Sequence, residues 1–193
     1  MSNLINPRFK DLIIKDFLIV LLALCVVIYP MSPIVEMWGQ IVLLAVLYGI
    51  LNDLRACYVC PEYFTYGHRY GGDRLVTTLD TIPNALVWGV VATVKLAAGA
   101  GAIFCLIVSP DYFHQHMPTI LKFLMVVLVS GEIASYLVQS LISKNLIEVI
   151  FYGVPLELKS RWIATGIRNM IGYNVIILGG ILLGASGGHP HGE

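Results

Sequence analysis

Apolar residues run along this chain in stretches of roughly 18 to 25, the length that crosses a bilayer as a helix. They lie near 13–30, 34–53, 83–108, 118–142 and 163–186, separated by connectors that are polar or bear Pro and Gly. The pattern predicts an all-α, polytopic transmembrane helix bundle of five spans forming a single transmembrane domain over 1–193. Pro33, Pro83 and Pro118 are placed in first turns, where a missing N–H costs nothing, and Pro110 just past a helix end. Tyr29-Pro30-Met31-Ser32-Pro33 reads as the turn of a helical hairpin. No A-x-A-like site follows the first run, so it is expected as a retained span rather than a signal peptide. The stretch "LIEVIFYGV" either extends span four or lies on the membrane surface, with Pro155 ending it.

Orientation follows from the connectors. The N-terminus carries Arg8, Lys10 and Lys15, the connector 54–82 carries Arg55, Arg69 and Arg74, and the stretch before span five carries Lys144, Lys159 and Arg161. Arg168 lies just inside span five on the same side, whereas 31–33, 109–117 and the tail "GGHPHGE" hold no Lys or Arg. Ten of the twelve basic residues therefore share one side. The positive-inside rule puts the N-terminus inside and the C-terminus outside.

Composition sharpens this picture. Hydrophobic residues make up 58% and charged residues 12%, with a mean hydropathy of +0.81, outside the soluble globular class. Twelve Lys and Arg balance twelve Asp and Glu, so no basic surface calls for nucleic acid, and membrane lipid is the expected surrounding.

Two charges fall at mid-membrane depth: Lys95 in "VATVKLAAGAG" and Glu132 in "VLVSGEIASY". Counted from the inner ends of their spans they reach nearly the same level, which predicts an ion pair, with Arg168 as a second partner for Glu132 through its long side chain. The pair is open to two readings. One is a proton or ion relay assisted by Ser130, Ser135, Tyr136, Gln139 and Asn174; the other is a packing pair that fixes helix register. With no further carboxylates across the membrane, packing is favoured. The small residues 97–102 and Gly172, Gly179, Gly180 and Gly184 point to close helix approach rather than a wide pore.

The connector "CPEYFTYGHRYGGDR" is the longest polar stretch. Cys57 and Cys60 form a C-x-x-C followed by His68, and a zinc site there would need one more ligand, with Glu62 the nearest candidate; His189 and His191 of the tail offer an opportunistic metal site. No second ligand pair appears, so the motif is weak and no cofactor is assigned. Glu62 and His68 offer an acid/base pair, or Glu62, Tyr63, Phe64, Tyr66 and Tyr70 form an interfacial belt. Cys25 and Cys105 read as packed thiols rather than a disulfide. His114, His116, His189 and His191 map to the outer side.

"YGILNDLRACYVCPEYFTYGH", "WGVVAT", "SGEIASY" and "GYNVIILGG", between Tyr48 and Gly180, resemble a family of small bacterial multi-span membrane proteins with a P-E-Y-F-T-x-x-H connector. The resemblance implies a membrane location and a signature patch of Asp53, Glu62, Tyr63, Phe64 and His68, and names no activity. This chain has Leu54 where the family tends to carry Gln and Asn169 where it tends to carry His. The expected function is a non-enzymatic, multi-pass protein of the bacterial inner membrane, a subunit or scaffold of an assembly or a small transport unit, with protein partners or a second copy. The alternative is a membrane enzyme or metal-dependent redox protein using Cys57 to His68.

Overall fold

The computed structural model describes residues 7–67, 81–141 and 156–186. These form six helices: α1 (Pro7–Ile28), α2 (Pro33–Val59), α3 (Glu62–Gly67), α4 (Thr81–Ile107), α5 (Pro110–Leu141) and α6 (Leu156–Ser186). No strand occurs among the described residues.

Local signals set the helix starts. Ser32 caps α2: its Oγ accepts from Val35 N–H at 3.3 Å, and Pro33 follows at the first helical position, where its fixed φ suits the turn. Glu36 lies in that first turn, where a carboxylate favours the helix dipole. Ser109 acts likewise for α5, accepting from Tyr112 N–H at 3.3 Å before Pro110. α2 runs past the expected boundary at 53 to Val59, and Cys60 then turns the chain so that Tyr63 N–H reaches Cys60 C=O at 2.9 Å.

Two further boundaries, the starts of α5 and α6, differ from expectation for a physical reason. α5 starts at Pro110, so Pro118 sits inside the helix rather than in its first turn. The extra turns carry Asp111, His114, Gln115 and His116, a polar prefix that periodicity of apolar residues does not detect. α6 likewise begins at Leu156, where Glu157, Lys159 and Arg161 precede the apolar part.

Four helices are long and apolar enough to cross a membrane: α2, α5, and the stretches Ala85–Ile107 and Glu157–Ser186. This is the composition of an integral membrane protein. α1, expected as a further span, is 22 residues long but carries charges through Lys15 and Asp16, and is not among the four.

Packing divides the helices into two groups. α2 lies along α4 with α1 against both, and α5 lies along α6. Glycine makes the first contact possible: a Cβ on Gly89 would lie 2.5 Å from the backbone of Ile50, and one on Gly49 2.5 Å from Gly89 O. Here the α2 and α4 backbones touch with no side chain between them. Trp38 Nε1–H donates to Ala98 O at 3.0 Å further along the same seam. α1 seats Ala23 beside Gly39 of α2, in a core of Ala23, Val42, Val46, Val90 and Val94. On the other side, Gly179 of α6 receives the Phe123 ring of α5. The outward surface is apolar, with Leu106, Leu182 and Ile103 mostly exposed, as a bilayer requires.

The α2–α4 contact yields a stability prediction. Gly89→Val, placed against backbone that cannot give way, lowers unfolding stability in detergent by about 1–3 kcal/mol. Gly99→Ala, where nothing lies within 4 Å, leaves it unchanged or raises it slightly. Thermal denaturation of both variants checks the pair.

Candidate functional site

Near the α3 end of the bundle, α2, α5 and α6 place polar side chains in an otherwise apolar interior. Asn52 and Asp53 of α2 and Arg168 and Asn169 of α6 are buried there. Asn52 Nδ2–H donates to Asn169 Oδ1 at 2.7 Å and lies 3.4 Å from Asp53 Oδ1. Arg168 Nη1–H donates to the Asn52 carbonyl at 3.0 Å. Its Nε lies 2.9 Å from Glu132 Oε1 of α5, whose other oxygen lies 3.1 Å from Arg55 Nε of α2. Arg168 is 5% exposed and Glu132 34%. The cation is the buried member, held by a carboxylate reaching in from the surface. Gly131 opens the space, since a Cβ there would press on Arg168 Cγ at 3.2 Å.

The expected Lys95–Glu132 pair is therefore corrected. Lys95 Nζ lies 3.1 Å from Asp16 Oδ1 of α1. The levels were matched, but depth is not adjacency: α2 lies between, packing on both α4 and α5, so Lys95 faces α1 while Glu132 faces α6 and α2. Asp16 is fully buried and Lys95 52% exposed, the reverse of the first pair. The relay side chains do not converge. Ser130 Oγ–H and Asn174 Nδ2–H donate to carbonyls of their own helices, and Tyr136 is 75% exposed.

The connector patch is brought together in part. Phe64 stacks on Trp88 with centroids 5.7 Å apart, and Tyr63 packs on Phe64 and Trp162. Burial pushes the Tyr63 phenol up to about 12, the Asp53 charge adds to that, and a hydrogen bond with Asn169 acts the other way. Asp53 thus belongs to the polar nest, with Tyr63 and Phe64 sealing it at the α3 side. Glu62 accepts from the Cys60 thiol at 3.8 Å. His68 lies outside the described residues.

Cys57 is buried among Ala56, Phe64, Ala85 and Trp88, and Cys60 is also fully buried. Both are free thiols. Burial, then the charge of Glu62, pushes the Cys60 thiol up to about 11, opposite to the shift that makes a thiolate ligand or nucleophile at neutral pH. No group of three His, Cys, Asp or Glu gathers among the described residues. What this site offers is tight charge compensation and one buried carboxylate, Asp53, whose Oδ2 has no hydrogen-bond partner among the described residues.

Asp16, Asn52 and Arg55 escaped the sequence reading. Asp16 was legible as the one acid inside the first apolar run; it lies twelve positions before the end of α1, as Lys95 does before the end of α4. Asn52 carried no signal beyond lying at a span end, and Arg55 was read for orientation alone.

No family model, no curated protein and no solved structure matches the chain.

Two predictions follow from this geometry. Arg168→Met removes the side-chain donor to Asn52 O and leaves Glu132 with Arg55 alone, and destabilises the protein by about 3–5 kcal/mol; adding Glu132→Leu recovers part of the loss, as a double-mutant cycle in detergent measures. Because only the thiolate is nucleophilic, Cys60 alkylates slowly at pH 7. Being fully buried, it stays unlabelled in the folded protein and reacts once the chain is unfolded, read by mass spectrometry after timed iodoacetamide exposure with and without denaturant.

Proposed function

We propose that the protein is a non-enzymatic, multi-pass subunit or scaffold of an assembly in the bacterial inner membrane, with α1 as a fifth span and the N-terminus inside. Membership in the small bacterial family with the P-E-Y-F-T-x-x-H connector is part of the same proposal. One observation carries it: Lys95 is half exposed midway along α4. It shares a face with exposed Ala92, Gly99 and Ala102. An ammonium has three N–H donors, and Asp16 is its only described ion partner. Hydrocarbon satisfies none of the remaining donors. A partner helix does, and small residues on both sides of a lysine let such a helix come close. In this reading Lys95, anchored by the buried Asp16, holds the partner's polar group at the bilayer centre, and the Arg168 nest keeps the bundle rigid behind it.

A second reading, a membrane enzyme with its site at the connector, draws on the buried Asp53 carboxylate beside Tyr63 and Asn169. One set of variants separates the two. Purified in mild detergent, the wild type is expected to carry stoichiometric partner protein or a second copy. Lys95→Leu combined with Asp16→Asn, which leaves no buried carboxylate without its cation, is expected to lose it, and a photo-crosslinker at Gly99 to capture protein. A monomer that crosslinks only lipid overturns the subunit reading. Retained assembly in Glu62→Gln together with loss of a measured activity would favour the enzyme.

A further inference from the structure

Between the two helix groups the bundle encloses an apolar cavity of about 420 Å³. It runs along α4 from Thr93 to Ile107, about 21 Å at the helical rise. Its closed end is Tyr48, which crosses from α2 to α6 and fills the space over Gly172, where a Cβ would overlap the phenol oxygen. Its far end is pinched shut where Gly184 of α6 meets Ile107 of α4. Between those two closures α4 and α6 stand apart. Leu96 and Ile103 on α4 and Ile177 and Ile181 on α6 line the cavity and are also exposed, so the opening is a lateral window. Thr93 Oγ1–H is committed to Gly89 O, and the remaining walls are almost wholly apolar.

We infer that this cavity binds one aliphatic chain of a membrane glycerolipid, entering sideways between α4 and α6. The window lies in the apolar middle of two helices long enough to span a membrane, so hydrocarbon is what it faces. Water is excluded because an apolar cavity gives it no partners. An acyl chain is long, narrow and without hydrogen-bonding demand, and it matches length, volume and walls together. Gly180 lines the cavity, and a Cβ there would meet nothing within 4 Å. The glycine is thus not forced by helix packing, and the room it leaves belongs to the cavity. This site lies in the cleft between α4 and α6 and does not depend on the Lys95 face proposed for a partner.

The test uses full-length protein, delipidated in detergent and titrated with 1-palmitoyl-2-oleoyl phosphatidylethanolamine. Native mass spectrometry is expected to show one lipid that survives activation sufficient to strip the rest, with a rise in Tm on lipid addition. Gly180→Phe, and independently Ala100→Phe from the opposite wall, are expected to lower retention of that lipid at least tenfold and abolish its Tm shift. Leu182→Phe, exposed and outside the cavity, behaves as wild type. Retention unchanged in both folded cavity variants overturns the assignment, as does a wild type that holds no lipid. Recovery of an isoprenoid instead of a glycerolipid by solvent extraction also overturns it.

Discussion

Arg168 is the side chain on which the bundle's assembly turns. One guanidinium, almost fully buried, binds the Glu132 carboxylate of α5 through Nε and the Asn52 carbonyl of α2 through Nη1. It therefore joins the α5–α6 pair to the α1–α2–α4 group. A cation in such surroundings is costly unless compensated, and the compensation comes from both groups at once. Separating them would leave Arg168 with Glu132 alone and break its bond to the Asn52 carbonyl and the Arg55–Glu132 contact. Nη1–H makes the directed hydrogen bond, to Asn52 O, and the Glu132 carboxylate beside Nε supplies the opposite charge.

The rest of the architecture follows from having that tie at one end. Where Arg168, Asn52 and Asn169 meet, the helix groups are held by directed hydrogen bonds. Toward the opposite end polar bridges recur, His114 with Gln40 at 3.0 Å and Tyr112 with Ser186 at 3.3 Å, linking α5 to α2 and α6. None of these ties joins α4 to α6. Between the two ends α4 is held to α2 by the Gly49–Gly89 approach and by Trp38, and so cannot follow α6. The cleft is the geometric remainder of two tight pairings pinned together elsewhere.

Much of this was readable before any coordinates, and what was not has a common cause. Apolar run length located α2, α4, α5 and α6, because the demand of a bilayer for about 20 apolar residues is nearly independent of tertiary context. Glycines such as Gly172 and Gly179 marked close approach correctly, since only a missing side chain admits Tyr48 or Phe123 there. Reach also placed Arg168 near Glu132. The partner of Lys95 was misread because residue counting gives height in the membrane but not rotation about the helix axis. A helix that stands between two others, as α2 does, is invisible to counting. The polar nest went largely unread because Asn52 and Asp53 look like an ordinary helix end, yet α2 carries them inside by continuing to Val59.

The two ion pairs differ in how a bilayer would treat them, and this difference separates bundle from surface. Arg55 stands four residues before the end of α2, about 6 Å along the axis. Its stem can carry the guanidinium toward the interface while Nε still holds Glu132. Lys95 lies twelve residues from Ile107 and fourteen from Thr81, so about 18 Å or more separates it from either helix end. No lysine stem spans that distance, and the bond to Asp16 holds it in place. The Glu132 pair can thus be satisfied by lipid headgroups and the protein alone. The Lys95 pair, lacking that escape, rests on Asp16 within the bundle, and the small residues of α4 leave the exposed side of the ammonium uncovered.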